Sequence, residues 1–127
     1  MNNVTLELET ILVIARPGRF RDGLQAVLQA LPWVDSVMCQ NSVTAVSPIP
    51  ATLTILDADI MDARNWPNLL ERRAVRGQAG LIVLISTSQQ RSLAAALGAD
   101  ATLLKGFATE TLYRTLEALV HPQAGVR

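Results

Sequence analysis

Three short apolar runs each end in a single polar residue. Leu53-Thr54-Ile55-Leu56 runs into Asp57, Ile82-Val83-Leu84-Ile85 into Ser86, and Leu103-Leu104 into Lys105. A fourth run, Ile11-Leu12-Val13-Ile14, delivers Ala15 and Arg16. Runs this short, rich in Ile, Val and Leu and separated by segments of helical period, are the pattern of a parallel sheet covered on both faces. Parallel strands end at one edge, so the pattern brings a carboxylate, a hydroxyl and an ammonium together there, with an arginine beside them.

The helical segments are marked by their apolar spacing and their punctuation. Phe20, Leu24, Val27, Leu28 and Leu31 recur at helical spacing after Pro17-Gly18, and Pro32 closes that helix. Val37-Met38-Cys39 reads as the second strand. Asn41 to Pro50 leaves room for about one helical turn before Pro48 and Pro50. A helix is expected to open near Pro67 and run to Gly77, and another after Ser88 carries Leu93 and Leu97 to a left-handed cap at Gly98. Thr109 is expected to cap the last helix, whose apolar face is Leu112, Leu116, Leu119 and Val120. The count comes to about five strands and about five helices. Val4, Leu6 and Leu8 alternate with polar residues, which fits either a longer first strand or an added edge strand.

At 127 residues, half of them hydrophobic and 17% charged, the chain forms one domain, 1–127, with its core over 11–120. A net charge of zero gives no electrostatic footprint for nucleic acid or anionic lipid. No apolar stretch approaches membrane-spanning length, and the acidic N-terminal stretch does not read as a signal peptide, so a cytoplasmic location is expected. The lone Cys39 reads as a small buried hydrophobe. Arg72, Arg73 and Arg76 with Glu71 read as a solvated helix face, His121 serves no nucleophile motif, and Trp33 and Trp66 read as packing residues, Trp66 the more exposed.

Over residues 11–120 the chain resembles the receiver domains of bacterial two-component response regulators. Arg19-Phe20-Arg21-Asp22-Gly23-Leu24 is similar to the opening of the first helix in regulators that also carry a helix-turn-helix output domain. Gly98-Ala99-Asp100-Ala101-Thr102-Leu103-Leu104-Lys105 resembles the family's turn into its last strand. Asp57, Ser86 and Lys105 follow in the family's order. The resemblance implies a flavodoxin-like, doubly wound α/β fold, a five-stranded parallel sheet of order 2-1-3-4-5 with helices on both faces. It also implies Asp57 as the phosphoacceptor position, Ser86 and Lys105 as the phosphoryl-contact positions, and Thr102 as the switch position.

The departures from the family pattern concern the site itself. Receivers end the first strand in an acidic pair that helps the phosphoacceptor hold magnesium; here the pair is Ala15 and Arg16. Asp57 against Arg16 and Lys105 totals +1, where the family's site totals −2. At an effective dielectric of about 20 and ~6 Å, an adjacent Arg16 costs a divalent cation about 5–6 kcal/mol. No metal or cofactor is therefore expected. Thr102 replaces the aromatic residue whose rotation usually reports phosphorylation, Gly106 stands where a proline is common, and the stretches 41–57 and 86–105 are shorter than the family pattern.

These residues lead to a degenerate receiver, without enzymatic activity, that acts as a protein-interaction module in two-component-type signalling. Asp57 is expected to pair with Arg16 or Lys105 instead of taking a phosphoryl group, with Arg16 standing in for the missing cation. Asp59 and Asp62, close behind, are expected to be solvated. The alternative is a conventional phosphorylatable receiver in a phosphorelay. A second alternative is a sensor of an anionic small molecule at the Arg16 edge, where Arg19 and Arg21 would join Arg16. The expected partner is a signalling protein such as a histidine kinase or an output protein, or a second copy of the chain. The expected surface is the fourth helix with Ala94-Ala95-Ala96, the fifth strand, and the fifth helix with Tyr113 as an interface aromatic. No nucleic acid or membrane contact is expected.

Overall fold

The computed structural model describes residues 8–41, 51–61 and 79–121. Strands β1 (Glu9–Ile14), β2 (Val34–Gln40), β3 (Leu53–Asp57), β4 (Gly80–Ile85) and β5 (Ala101–Leu104) form one parallel sheet of order β2-β1-β3-β4-β5. That is the order the resemblance implies. The described helices are α1 (Arg19–Gln29), α2 (Gln89–Ala96) and α3 (Thr109–Val120), with one 3₁₀ turn at Ala58–Ile60. α2 and α3 are the fourth and fifth helices of the sequence reading. Beyond Asn41, the helical turn expected in 41–50 falls outside the described residues, as do the helix from Pro67 to Gly77, Asp62, Trp66, Arg72, Arg73 and Arg76. β1 starts at Glu9, two residues ahead of its apolar run.

Strand residues alternate between two cores. Ile11, Val13, Leu53, Ile55, Ile82 and Leu84 face α1 and α3, where they meet Leu24, Leu28, Leu112 and Leu116. Leu12, Ile14, Leu56, Leu81, Val83 and Ile85 face the other way, onto α2 through Leu93 and Ala94. A strand covered on both sides needs an unbroken apolar run, and β3 and β4 are buried along their whole length. Thr54 is the one polar residue inside these runs, and it too is buried.

The caps follow the expected chemistry at one end and depart from it at another. α2 closes as a Schellman motif: the Ala99 N–H donates to Ala94 O and the Gly98 N–H to Ala95 O, each at 3.0 Å, with Gly98 left-handed at φ 73°. Thr109 does not cap α3. The backbone turns helical at Thr109 itself, so the N-cap is Ala108, in extended conformation, without a side-chain bond. α1 ends sooner than its apolar spacing suggests, with Leu31 beyond the helix yet still buried in the core.

Tyr113, read as an interface aromatic, is engaged inside the fold. It is half-buried against the first core and its hydroxyl donates to Val27 O at 2.7 Å, clasping α3 to α1. Trp33 is buried as expected, edge-on to His121 with ring centroids 5.1 Å apart. Burial pushes the half-buried Cys39 thiol up against a smaller opposing effect of Arg21.

Candidate functional site

Strand register sets the site. Ile14 is opposite Leu56, Asp57 opposite Leu84, and Ile85 opposite Leu104. One residue further along each strand, Ala15, Asp57, Ser86 and Lys105 arrive at the same carboxyl edge. The Lys105 N–H donates to Ile85 O at 2.8 Å, extending the ladder to the lysine.

The convergence of Asp57, Ser86 and Lys105 is as expected; how they connect is not. Lys105 Nζ lies 2.8 Å from the Asp57 carboxylate and 2.7 Å from Asp59 Oδ2, bridging two acids with one ammonium. Ser86 does not bond Asp57 directly. Its Oγ donates to Asp59 Oδ2 at 2.6 Å, while Gln90 Nε2 donates to Asp59 Oδ1 at 2.8 Å. Gln90 Oε1 in turn accepts from the Ser86 and Thr87 N–H groups, tying the start of α2 to the network. Asp59 is thus a hydrogen-bonding hub of the edge while remaining solvent-exposed, as expected of a loop acid.

A sequence signal for Asp59 existed in the Asp57-Ala58-Asp59 spacing. An aspartate at the end of a strand can accept from the N–H two residues on, and Asp57 Oδ1 does so from Asp59 at 2.9 Å. That turn folds Asp59 back over the edge. Gln90 carried no comparable signal. Nor did Phe20, expected on the apolar face of α1 but 39% exposed, with its ring 4.5 Å from Lys105 Nζ in a cation–π contact.

The three arginines do not converge. Arg16 is exposed and forms no ion pair with Asp57, so the expected substitution of its guanidinium for the missing cation is wrong. The physical reason is that Lys105, emerging two strands away, reaches the carboxylate first and satisfies it. Arg21 donates to Ala15 O at 3.2 Å and to Asn41 Oδ1 at 2.7 Å, bracing the ends of β1 and β2. Arg19 lines a cleft beside α1. Thr102 sits half-buried in β5, opposite Val83.

Charge and hydrogen bonding reinforce each other here. Burial pushes the Asp59 carboxyl up, but hydrogen bonds from Gln90, Lys105 and Ser86 outweigh it and hold the group down at about 2. Burial pulls the Lys105 ammonium down, and its bonds and charge attraction to Asp57 and Asp59 more than reverse this, leaving it raised. With Arg16 outside, Asp57, Asp59 and Lys105 carry a formal −1 in place of the +1 expected from sequence.

A magnesium ion in the receiver position requires several hard oxygen ligands in octahedral array. Among the described residues no cluster of three or more acidic, histidine or cysteine side chains exists. The two carboxylates at the edge share one ammonium, Ala15 offers no side-chain ligand, and its carbonyl takes Arg21. Among the described residues this donor set does not fit the ion.

Neither a family model nor a curated protein sequence matches the chain. Solved structures do. A response regulator receiver protein from Burkholderia phymatum superposes with a TM-score of 0.69 at 19% identity, covering 89% of this chain and 95% of that one. The signal receiver domain of a modulated diguanylate cyclase from Desulfovibrio desulfuricans gives 0.66 at 21% identity, over 93% and 98% of the two chains. Full-length FixJ from B. japonicum gives 0.68 at 19% identity, with 91% of this chain matching 59% of that one. The fold is that of response-regulator receiver domains. Among the described residues, no helix is long and apolar enough to cross a membrane.

Proposed function

We propose that this protein is a degenerate receiver: a non-enzymatic module that serves two-component-type signalling by binding another protein, without a phosphorylation switch. The observation that carries this reading is the composition of the sheet edge. Ala15 and Arg16 stand in the acidic-pair positions, and the two remaining carboxylates are held by one lysine. Phosphoryl transfer needs positive charge brought to the phosphoryl oxygens as they move, which in receivers is the metal's contribution. Among the described residues, the cation paired with the edge carboxylates, Lys105, is already shared between Asp57 and Asp59. Thr102 has no ring to report an altered Asp57. A conventional phosphorylatable receiver keeps support from one observation, that Asp57, Ser86 and Lys105 gather in one connected network.

The proposed binding surface is α2, β5 and α3, now without Tyr113. Ala95 and Ala96 are exposed on α2, and Leu104, 53% exposed on the edge strand β5, is the large apolar side chain there. The partner is a signalling protein such as a histidine kinase or output protein, or a second copy of this chain. Sedimentation velocity and intact-mass spectrometry, each with and without acetyl phosphate, test both parts. Unchanged mass, unchanged sedimentation, and weaker self-association for Leu104→Glu are expected. Capture of an acyl phosphate at Asp57 would overturn the phosphorylation-independent reading, and a dimer indifferent to Leu104→Glu would overturn the surface.

A further inference from the structure

A cleft of about 330 Å³ opens between α1 and the start of α3. Its size is at the low end of the range for small-molecule sites. Leu24 and Val27 form an aliphatic floor, and the rings of Phe20 and Phe107 stand in its lining. The bond from Tyr113 Oη to Val27 O holds the two helices at a fixed separation. Gly23 lines the cleft in the interior of α1, where glycine is the costliest residue short of proline. Nothing lies within 4 Å of where its Cβ would be, so no neighbour requires the side chain to be missing. A long side chain at this position would project into the cleft.

The polarity of the lining has one sign. Arg19 is exposed there and makes no hydrogen bond or ion pair with any described residue, and no acidic side chain is among the lining residues. Glu110, in the first turn of α3, is bonded to Arg114 at 2.8 Å. Thr109, free of any capping bond, adds a hydroxyl to the rim. An unpaired guanidinium lining the same cleft as two phenyl rings and two aliphatic side chains suits a flat apolar body carrying one negative group. We propose that this cleft binds a one- or two-ring aromatic carboxylate, its acid on Arg19 and its ring packed on Phe20 and Phe107. Phe20 also lies under Lys105 Nζ, so occupancy is felt at the carboxylate network. The proposal does not depend on whether Asp57 is phosphorylated.

The test is amide NMR titration of the whole protein with naphthalene-2-carboxylate, and with 2-naphthamide as its neutral counterpart. Saturable shifts are expected at residues 19–27 and 105–109. Arg19→Ala weakens binding roughly tenfold or more, the size of one charge-assisted contact, and the amide binds weaker by a similar factor. Gly23→Leu fills the cleft at an ordinary helical position, retains the parent far-UV spectrum, and abolishes the shifts. Shifts that map to the Arg16 edge, that survive Gly23→Leu, or that are as strong with the amide would overturn the proposal. So would no saturable shift at millimolar acid.

Discussion

Replacing Lys105 with methionine removes the ammonium while keeping most of the stem that packs near Phe20. In the parent, Asp57 has a side chain only 8% exposed, and its partners are the Lys105 ammonium at 2.8 Å and the Asp59 N–H at 2.9 Å. Lys105→Met leaves that carboxylate with a single neutral donor in an apolar surround. Breaking one side of a buried pair costs about 3–5 kcal/mol. The lysine side chain is 23% exposed and that of Asp59 41% exposed, so water recovers part of this and the Asp59 contact adds little. A loss of roughly 2–4 kcal/mol is expected, on the order of 10 °C in Tm for a domain of this size. Asp57→Asn alone costs less, about 1 kcal/mol, because the ammonium left behind retains Asp59 and solvent. The double variant Lys105→Met/Asp57→Asn recovers most of the loss, since a neutral amide can still accept from the Asp59 N–H. Urea denaturation followed by far-UV circular dichroism measures all three. If Lys105→Met costs less than about 0.5 kcal/mol, or Asp57→Asn fails to rescue it, the buried-pair reasoning fails.

Arg16→Ala is expected to change stability by less than about 0.5 kcal/mol, because the side chain is exposed and unpaired among the described residues; urea melts giving a loss above 1 kcal/mol would restore it to the site. The pH dependence follows from Asp59, whose carboxyl is lowered from 3.8 to about 2 on folding. Its share of stability is present above about pH 4 and is lost as pH falls through about 2, so the acid limb is expected to be shallower in Asp59→Asn than in the parent.

The sheet was legible because its information is local. The apolar runs of β3, β4 and β5 stop at Asp57, Ser86 and Lys105, so the position of the site followed from the pattern, while the strand order came from the family resemblance. The wiring of the site was not legible, because it depends on side-chain reach. Arg16 and Lys105 are both long cations at strand ends, and nothing in their spacing says which one meets Asp57. The answer lies in the 3₁₀ turn at Ala58–Ile60, which swings Asp59 over the edge and offers Lys105 two acceptors instead of one. The bond of Tyr113 was not legible for a related reason. One position off an apolar stripe can face solvent or a neighbouring helix, and only the placement of α1 put Val27 O within reach of its hydroxyl.

Whether this edge can take up the receiver's metal and phosphoryl group is tested most directly by amide NMR, with millimolar magnesium added first and a beryllofluoride phosphoryl mimic second. With Asp57 and Asp59 held by Lys105 and no acidic pair at Ala15 and Arg16, the spectrum is expected to stay unchanged at both steps, including Asp57, Asp59, Ser86 and Lys105. Saturable magnesium shifts around Asp57, or a beryllofluoride-dependent change spreading from Asp57 through Ser86 into α2 and β5, would contradict the account.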